Sequence, residues 1–229
     1  SSHFGSSCFG LNSRALGKLR AFTDSPPSDA CVWYSCRCLD GEVCPRSRSD
    51  CDFRQRPGHD MAVGAVNDPV MGGQSESTFQ VDSSTNLGVW KGEVKIVSFL
   101  QKPGFSNLQA PGRHKKENFP DLTGTSGLVA RMKVEGGGLT HFKMMLMTKA
   151  GGTPEGKEGV YEADITLTSK MEDHFRPWSA FSCTWRGQPV NWCPELTTQL
   201  AQVGSVGFGT AGSVGKFDVK IEALSAPGN

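Results

Sequence analysis

Eight cysteines carry the first chemical signal in this 229-residue chain, and they are unevenly spread. Cys8, Cys31, Cys36, Cys38, Cys44 and Cys51 lie in the first quarter, and Cys183 and Cys193 stand far downstream. Thiols at this density either crosslink or hold a metal. Zinc sites space their first two ligands two to four residues apart, whereas Cys36-Arg37-Cys38 leaves a single residue between thiols. No Cys-x-x-Cys pair or His-x-x-x-His partner accompanies it. An even count in a loop-rich segment therefore reads as disulfides formed in an oxidising compartment, with the pairing of the six N-terminal thiols left open. Cys183 and Cys193 are ten positions apart, with Gly187 and Pro189 between them, so a turn can bring them together. A disulfide is expected there, closing a loop that holds Trp185, Arg186, Gly187 and Trp192.

The other residues able to do chemistry form no recognisable set. His3, His59, His114, His141 and His174 show no ligand spacing, and Glu172-Asp173 are merely adjacent on an expected loop. A nucleophile elbow, a Walker loop and a dinucleotide fingerprint are all missing. Gly136-Gly137-Gly138 sits between two strand patterns, where a hairpin turn explains it. The expectation is a non-catalytic protein with no cofactor and no metal. Trp33, Trp178, Trp185 and Trp192 each offer an indole to a sugar, to a core or to a protein interface.

One short stretch concentrates demanding backbone choices: Asn67-Asp68-Pro69-Val70-Met71-Gly72-Gly73-Gln74-Ser75-Glu76-Ser77. Proline fixes its own φ and biases Asp68 towards extended geometry, while Gly72-Gly73 permits a positive φ or a close backbone approach. Asn67, Asp68, Gln74 and Ser75 have side chains that satisfy stray backbone groups. With no metal cluster or nucleophile-base pair, the segment reads as a structural corner rather than a ligand-gripping loop.

These residues need a scaffold, and hydrophobic periodicity supplies one. Trp90, Gly92, Val94 and Ile96 alternate with charged residues, as do Leu128, Ala130, Met132 and Val134, then Tyr161, Ala163, Ile165 and Leu167, then Phe217, Val219 and Ile221. Period two marks half-buried antiparallel strands, and repeated short strands with glycine-rich connections imply an all-β sandwich. The apolar run Phe142–Met147 reads as a central strand covered on both sides. A short connecting helix is expected where Pro194 opens a turn, Leu196 and Leu200 share a face and Gly204 caps. Residues 101–126 read as a long loop containing a small basic patch, Arg113 to Lys116, which reads as a solvated face, with contact to an acidic partner as the alternative.

Residues 1–58 lack such periodicity beyond the rough helical spacing of Leu11, Ala15, Leu16, Leu19 and Phe22, which fits one short amphipathic helix ended by Ser25-Pro26-Pro27. The domain reading is a cysteine-rich extension over 1–58, separable from a sandwich over 59–229. The net charge is +1, which gives no electrostatic footprint for nucleic acid. No apolar run is long enough for a spanning helix, so the protein is expected to be peripheral to membranes. The chain opens on Ser1 without a leader pattern, which fits a targeting segment already removed and equally a shortened chain.

The loop at 67–77, with Phe79 and Gly88-Val89-Trp90-Lys91-Gly92-Glu93 after it, strongly resembles the signature of the complex I intermediate-associated protein 30 family. Gly104-Phe105-Ser106-Asn107-Leu108, Gly127–Met132, Arg176–Phe181 with Arg186-Gly187, Val203–Phe208 and Gly215–Ile221 extend the resemblance over roughly residues 60 to 224. It implies a galactose-binding-domain-like jelly-roll sandwich. It further implies an assembly factor or accessory subunit whose partners are subunits of a membrane-embedded electron-transfer complex, respiratory complex I or a photosystem. The cysteines depart from the mitochondrial pattern and favour the thylakoid lumen or intermembrane space over a reducing matrix, with secretion as the alternative. Under this reading Trp185, Arg186 and Trp192 are the expected partner-binding residues. The competing reading is a carbohydrate-binding module of a secreted or lumenal protein.

Overall fold

The computed structural model describes residues 30–31, 63–68, 72–110, 120–148, 159–210 and 212–228. The strands in chain order are β1 (Ala30–Cys31), β2 (Gly64–Asn67), β3 (Glu76–Asp82), β4 (Leu87–Val94), β5 (Ile96–Val97), β6 (Lys102–Pro103), β7 (Ser106–Ala110) and β8 (Gly127–Val134). They continue as β9 (His141–Thr148), β10 (Val160–Thr166), β11 (Glu172–Pro177), β12 (Ser182–Trp185), β13 (Gln188–Pro189), β14 (Val203–Thr210) and β15 (Gly215–Ala226). All pairings among them are antiparallel. One sheet runs β11-β8-β15-β4-β3, with β1 added against β15; the other runs β13-β12-β10-β9-β14-β7-β2; β5 and β6 form a separate hairpin. The fold is a jelly-roll-like antiparallel β-sandwich: the alternating patterns predict the sandwich, and the family resemblance implies the jelly roll.

The inward faces fill one core. Leu128, Ala130 and Met132 of β8, Val219 and Ile221 of β15, and Ala163 and Ile165 of β10 are almost wholly buried. At its centre Trp90 of β4 lies 4.7 Å from Phe217 of β15 and 5.7 Å from Phe142 of β9, centroid to centroid. The Trp90 and Phe217 rings meet edge to face and Phe142 comes from the facing sheet, so aromatic packing spans both layers. Phe142, Met144, Met145 and Leu146 are buried in β9, between β10 and β14, as the apolar run suggests.

The outer face of the first sheet is charged and internally neutralised. Lys91 meets Asp218 at 2.8 Å, Arg131 meets Glu222 at 3.1 Å and Asp173 at 3.4 Å, and Lys133 meets Glu135 at 2.9 Å. A hydrogen bond from Lys133 holds the Glu135 carboxyl below its usual range, with Lys220 adding to the effect.

Four expectations need correction. Gly136-Gly137-Gly138 does not close a hairpin: β8 and β9 belong to different sheets, and the glycines carry the chain across the end of the sandwich. A Cβ at Gly138 would sit 2.3 Å from the Lys216 carbonyl oxygen, so the crossing is too close for any side chain. Glu172 and Asp173 lie in β11 rather than a loop. Within 101–126, Lys102–Pro103 and Ser106–Ala110 are strands, which small and polar residues concealed. The expected helix near 194–204 is two separate 3-10 turns, Leu196–Thr198 and Leu200–Gln202, and Gly204 belongs to β14 instead of capping. Leu196 and Leu200 do share a buried side.

The corner between β2 and β3 is built around Asp68, which is only 3% exposed. Its carboxylate accepts from the Ser75 amide at 3.1 Å, the Ser75 hydroxyl at 3.2 Å and the Phe105 amide at 3.2 Å. Its carbonyl accepts from Gly73 at 3.1 Å. Ser75 then accepts from the Lys95 amide. Beside it, Asn67 Oδ1 accepts from Ser77 at 2.8 Å and Ser106 at 3.0 Å. Gly72 has φ 69°, and a Cβ at Gly73 or Gly104 would strike the Asp68 side chain. Gln74 is exposed, and Pro69, Val70 and Met71 lie outside the described residues.

Replacing Asp68→Ala leaves the buried Ser75 amide and hydroxyl and the part-buried Phe105 amide without this acceptor. We expect a loss of about 3 kcal/mol, the upper end for a buried charged acceptor. Urea denaturation checks it, and Asp68→Asn, which keeps one acceptor oxygen, should lose less.

Candidate functional site

The irregular segment from Cys183 to Cys193 concentrates the aromatic and cationic side chains that the sequence assigns to partner binding. Its base is the disulfide expected from spacing: Cys183 and Cys193 are bonded, with Cα atoms 6.2 Å apart. Cys183 lies on β12, which pairs with β10 through Tyr161↔Cys183, so the bond ties the returning chain to the sheet. Both half-cystines pack against the core. Gly159 passes directly beneath, where a Cβ would come within 2.5 Å of both sulfurs and 3.2 Å of the Trp192 ring. The Tyr161 hydroxyl donates to the Pro194 carbonyl at 2.7 Å and fixes the exit of the loop; burial raises its pKa.

Above this base β12 turns into β13 through Arg186-Gly187, with Trp185 paired to Gln188. Arg186 has φ 52° and Gly187 φ 74°. Two consecutive positive φ values are what a tight two-residue hairpin requires, since its twist matches the strands. Glycine accepts this freely, but an arginine there costs about 1 kcal/mol. The guanidinium carbon of Arg186 lies 4.6 Å from the Trp185 ring centroid, a cation–π contact that offsets part of that strain. Arg186 is exposed, whereas Trp185 and Trp192 are half-buried. The disulfide, the tryptophans and the arginine are thus held as one braced unit.

The remaining candidates fall elsewhere. Trp178 is not a surface platform: it is 5% exposed, its indole nitrogen donates to the Thr125 carbonyl at 2.7 Å, and its ring packs on Phe181. His174 is buried with Nε2 3.3 Å from the Met132 carbonyl, and His141 Nδ1 is 3.1 Å from the Thr166 hydroxyl, so both have local partners. Among the described residues no group of three or more His, Cys, Asp or Glu is arranged to hold a metal. Nor is any described helix long and apolar enough to cross a membrane. Cys8, Cys36, Cys38, Cys44 and Cys51, with Trp33 and the basic patch at Arg113 to Lys116, lie outside the described residues; Cys31 is seen only in its backbone pairing with Ser225. Sequence reasoning missed the positive φ of Arg186, because the residue type there gives no local signal for it.

The described residues form an antiparallel sandwich with a disulfide-braced loop at one edge. The sequence profile described as "Complex I intermediate-associated protein 30 (CIA30)" matches residues 51–221, and the chain belongs to that family. No curated protein matches the chain. Among solved structures it is similar to the family 11 carbohydrate-binding module of the cellulosomal cellulase Lic26A-Cel5E of Clostridium thermocellum, at 12% identity and TM-score 0.52, over 78% of this chain and 92% of that one. The same organism's family 11 module in complex with a mixed-linked tetrasaccharide matches at 15% identity and TM-score 0.50, over 76% and 94% of the two chains. At these identities the likeness speaks for the fold alone.

Two outcomes follow for the loop. Replacing Cys183→Ala and Cys193→Ala together should lower stability by about 2 to 3 kcal/mol, read by denaturant titration without reductant. Arg186→Gly should leave stability unchanged or raise it by up to about 1 kcal/mol, because glycine adopts the positive φ without strain. A clear drop in the melting midpoint of Arg186→Gly would show that the contact with Trp185 outweighs the backbone strain.

Proposed function

We propose that this protein is a non-catalytic assembly factor or accessory subunit that docks on a membrane-embedded electron-transfer complex, respiratory complex I or a photosystem. The observation that carries the reading is family membership across residues 51–221, since the family's name ties it to intermediates of complex I. The braced loop supplies the contact. Trp185, Arg186 and Trp192 meet the partner, and the Cys183–Cys193 bond holds them in place beforehand, which lowers the ordering cost of association. Trp and Arg are also the side chains that most often dominate binding energy at interfaces. A strained arginine on an exposed turn supports the same reading, because glycine would serve the turn better.

The disulfide suits an oxidising organellar space, the thylakoid lumen or the mitochondrial intermembrane space, in preference to a reducing one. The carbohydrate-binding reading draws on the shared sandwich with the family 11 modules. It is weakened by Trp178 being buried and by Arg186 lying against the Trp185 ring, which takes one aromatic face from any sugar.

Affinity capture from gently solubilised membranes tests the docking reading. The wild-type chain should bring down subunits of an electron-transfer complex. Arg186→Ala with Trp192→Ala should keep its melting midpoint within a few degrees and recover at least about tenfold less partner, as expected for interface anchors. Undiminished recovery by the double variant removes this loop from the interface. A wild-type chain that captures nothing, but binds on a glycan array, moves the conclusion to the carbohydrate module.

A further inference from the structure

Among the described residues seven large apolar side chains are exposed, and four of them, Ile96, Phe99, Leu100 and Phe105, fall within one hairpin segment. The hairpin is β5–β6, with Ile96 opposite Pro103 and Val97 opposite Lys102. Phe99, at its tip, is 67% exposed, the most of the seven. The tip is held in shape. The Leu100 and Gln101 amides both donate to the Val97 carbonyl, at 3.1 and 2.9 Å, and Gln101 takes φ 52° to close the turn. Val97 is buried under it, Gly104 donates to the Lys95 carbonyl, and Phe105 donates to Asp68. An ordered hairpin that presents consecutive apolar side chains to solvent gains nothing for the core.

The charges within it are one-sided. From Val94 to Ala110 the chain contains Lys95 and Lys102 and no acidic residue. The nearest acid along the chain is Glu93, whose carboxylate is 3.9 Å from Lys95 Nζ. That pair sits at the base of the hairpin, and within the hairpin itself the only charges are the two lysines. An apolar tip with basic shoulders complements a surface that is apolar in depth and anionic at its edge.

We infer that hairpin β5–β6 is a membrane-surface anchor. Phe99 and Leu100 enter the boundary between headgroups and acyl chains of an anionic bilayer, and Lys95 and Lys102 meet the lipid phosphates. The contact is shallow, so it adds weak and reversible adhesion beside the protein contact made by the 183–193 loop. It does not depend on that loop or on the identity of the docking complex.

The test uses the full chain and protein-free vesicles, either of phosphatidylcholine alone or of phosphatidylcholine mixed with phosphatidylglycerol. Wild type should float with the anionic vesicles and much less with the neutral ones. Phe99→Ser with Leu100→Ser should lower the partition coefficient at least about tenfold, because two large side chains lose their burial. Lys102→Glu should lower it several-fold, and added salt should narrow that gap. A wild-type chain that stays off both kinds of vesicle overturns the inference, as does a double variant that partitions like wild type. Loss of capture from solubilised complexes by the Phe99/Leu100 variant, with no vesicle binding by wild type, would make the hairpin a protein contact and also overturns it. Should the double variant fold poorly, Phe99→Trp serves instead. Brominated lipids in anionic vesicles should quench it more than wild type, and equal quenching overturns the inference. The docking reading is tested in detergent without a bilayer, so either can fail alone.

Discussion

The carboxylate of Asp68 is the joint on which the rest of the corner depends. It is buried, and three donors converge on it from Ser75 and Phe105, residues on opposite sides of the β3–β4–β5–β6 excursion. Ser75 extends the joint to the Lys95 backbone, and neighbouring Asn67 extends it through Ser77 and Ser106. β2 belongs to one sheet and β3 to the other, so this polar cluster fixes how the layers meet at that end. A buried carboxylate is destabilising unless its acceptor capacity is filled, which explains why glycine is needed at 73 and 104: a Cβ at either would strike the carboxylate and push it off its donors. The aromatic cluster of Trp90, Phe142 and Phe217 makes the complementary apolar tie between the layers.

How much of this was legible in the sequence depended on which physical constraint wrote each residue. Strands with one face in the core announce themselves, because burial forces period two: Leu128 to Val134 and Tyr161 to Leu167 were read correctly and are buried. β7 was hidden because its partners ask for small and polar residues. Ser106 is wholly buried yet serves the Asn67 cluster, and its backbone amide also donates to the Thr210 hydroxyl. Ile96 continued the alternation of β4 and was expected inward, but the chain leaves the sheet after Val94 and starts the β5–β6 hairpin, which turns Ile96 to solvent at 43% exposure. The three glycines at 136–138 carry no directional signal, since hairpin turns and crossovers both favour them.

At the loop the balance differed again. The Cys183–Cys193 bond was readable because loop closure is a constraint on spacing, and Gly187 and Pro189 marked the turn. What spacing could not give was the hand of that turn. Placing Arg186 at φ 52° is a choice against local preference, and local preference is all that a single sequence displays. Likewise Trp178, Trp185 and Trp192 are chemically identical in sequence, and only the Thr125 carbonyl beside Trp178 and the guanidinium over Trp185 separate a core indole from two half-buried ones.

The shared sandwich with carbohydrate-binding modules speaks for the fold and leaves function to particular side chains. Ligand binding across a sheet needs an open face with groups free to meet the ligand. The first sheet's outer face is occupied by its own ion pairs, and β14, in the middle of the second sheet, is buried along its whole length. At the edges the chain departs from regular pairing: the disulfide-braced turn at one place and the apolar hairpin at another. Both are short, both are tied to the body by bonds that a bare connection would not need, and both expose side chains that the core has no use for. In a sandwich whose faces are already satisfied, it is the rigid loops that can differ from relative to relative without disturbing the fold, and function is argued from them.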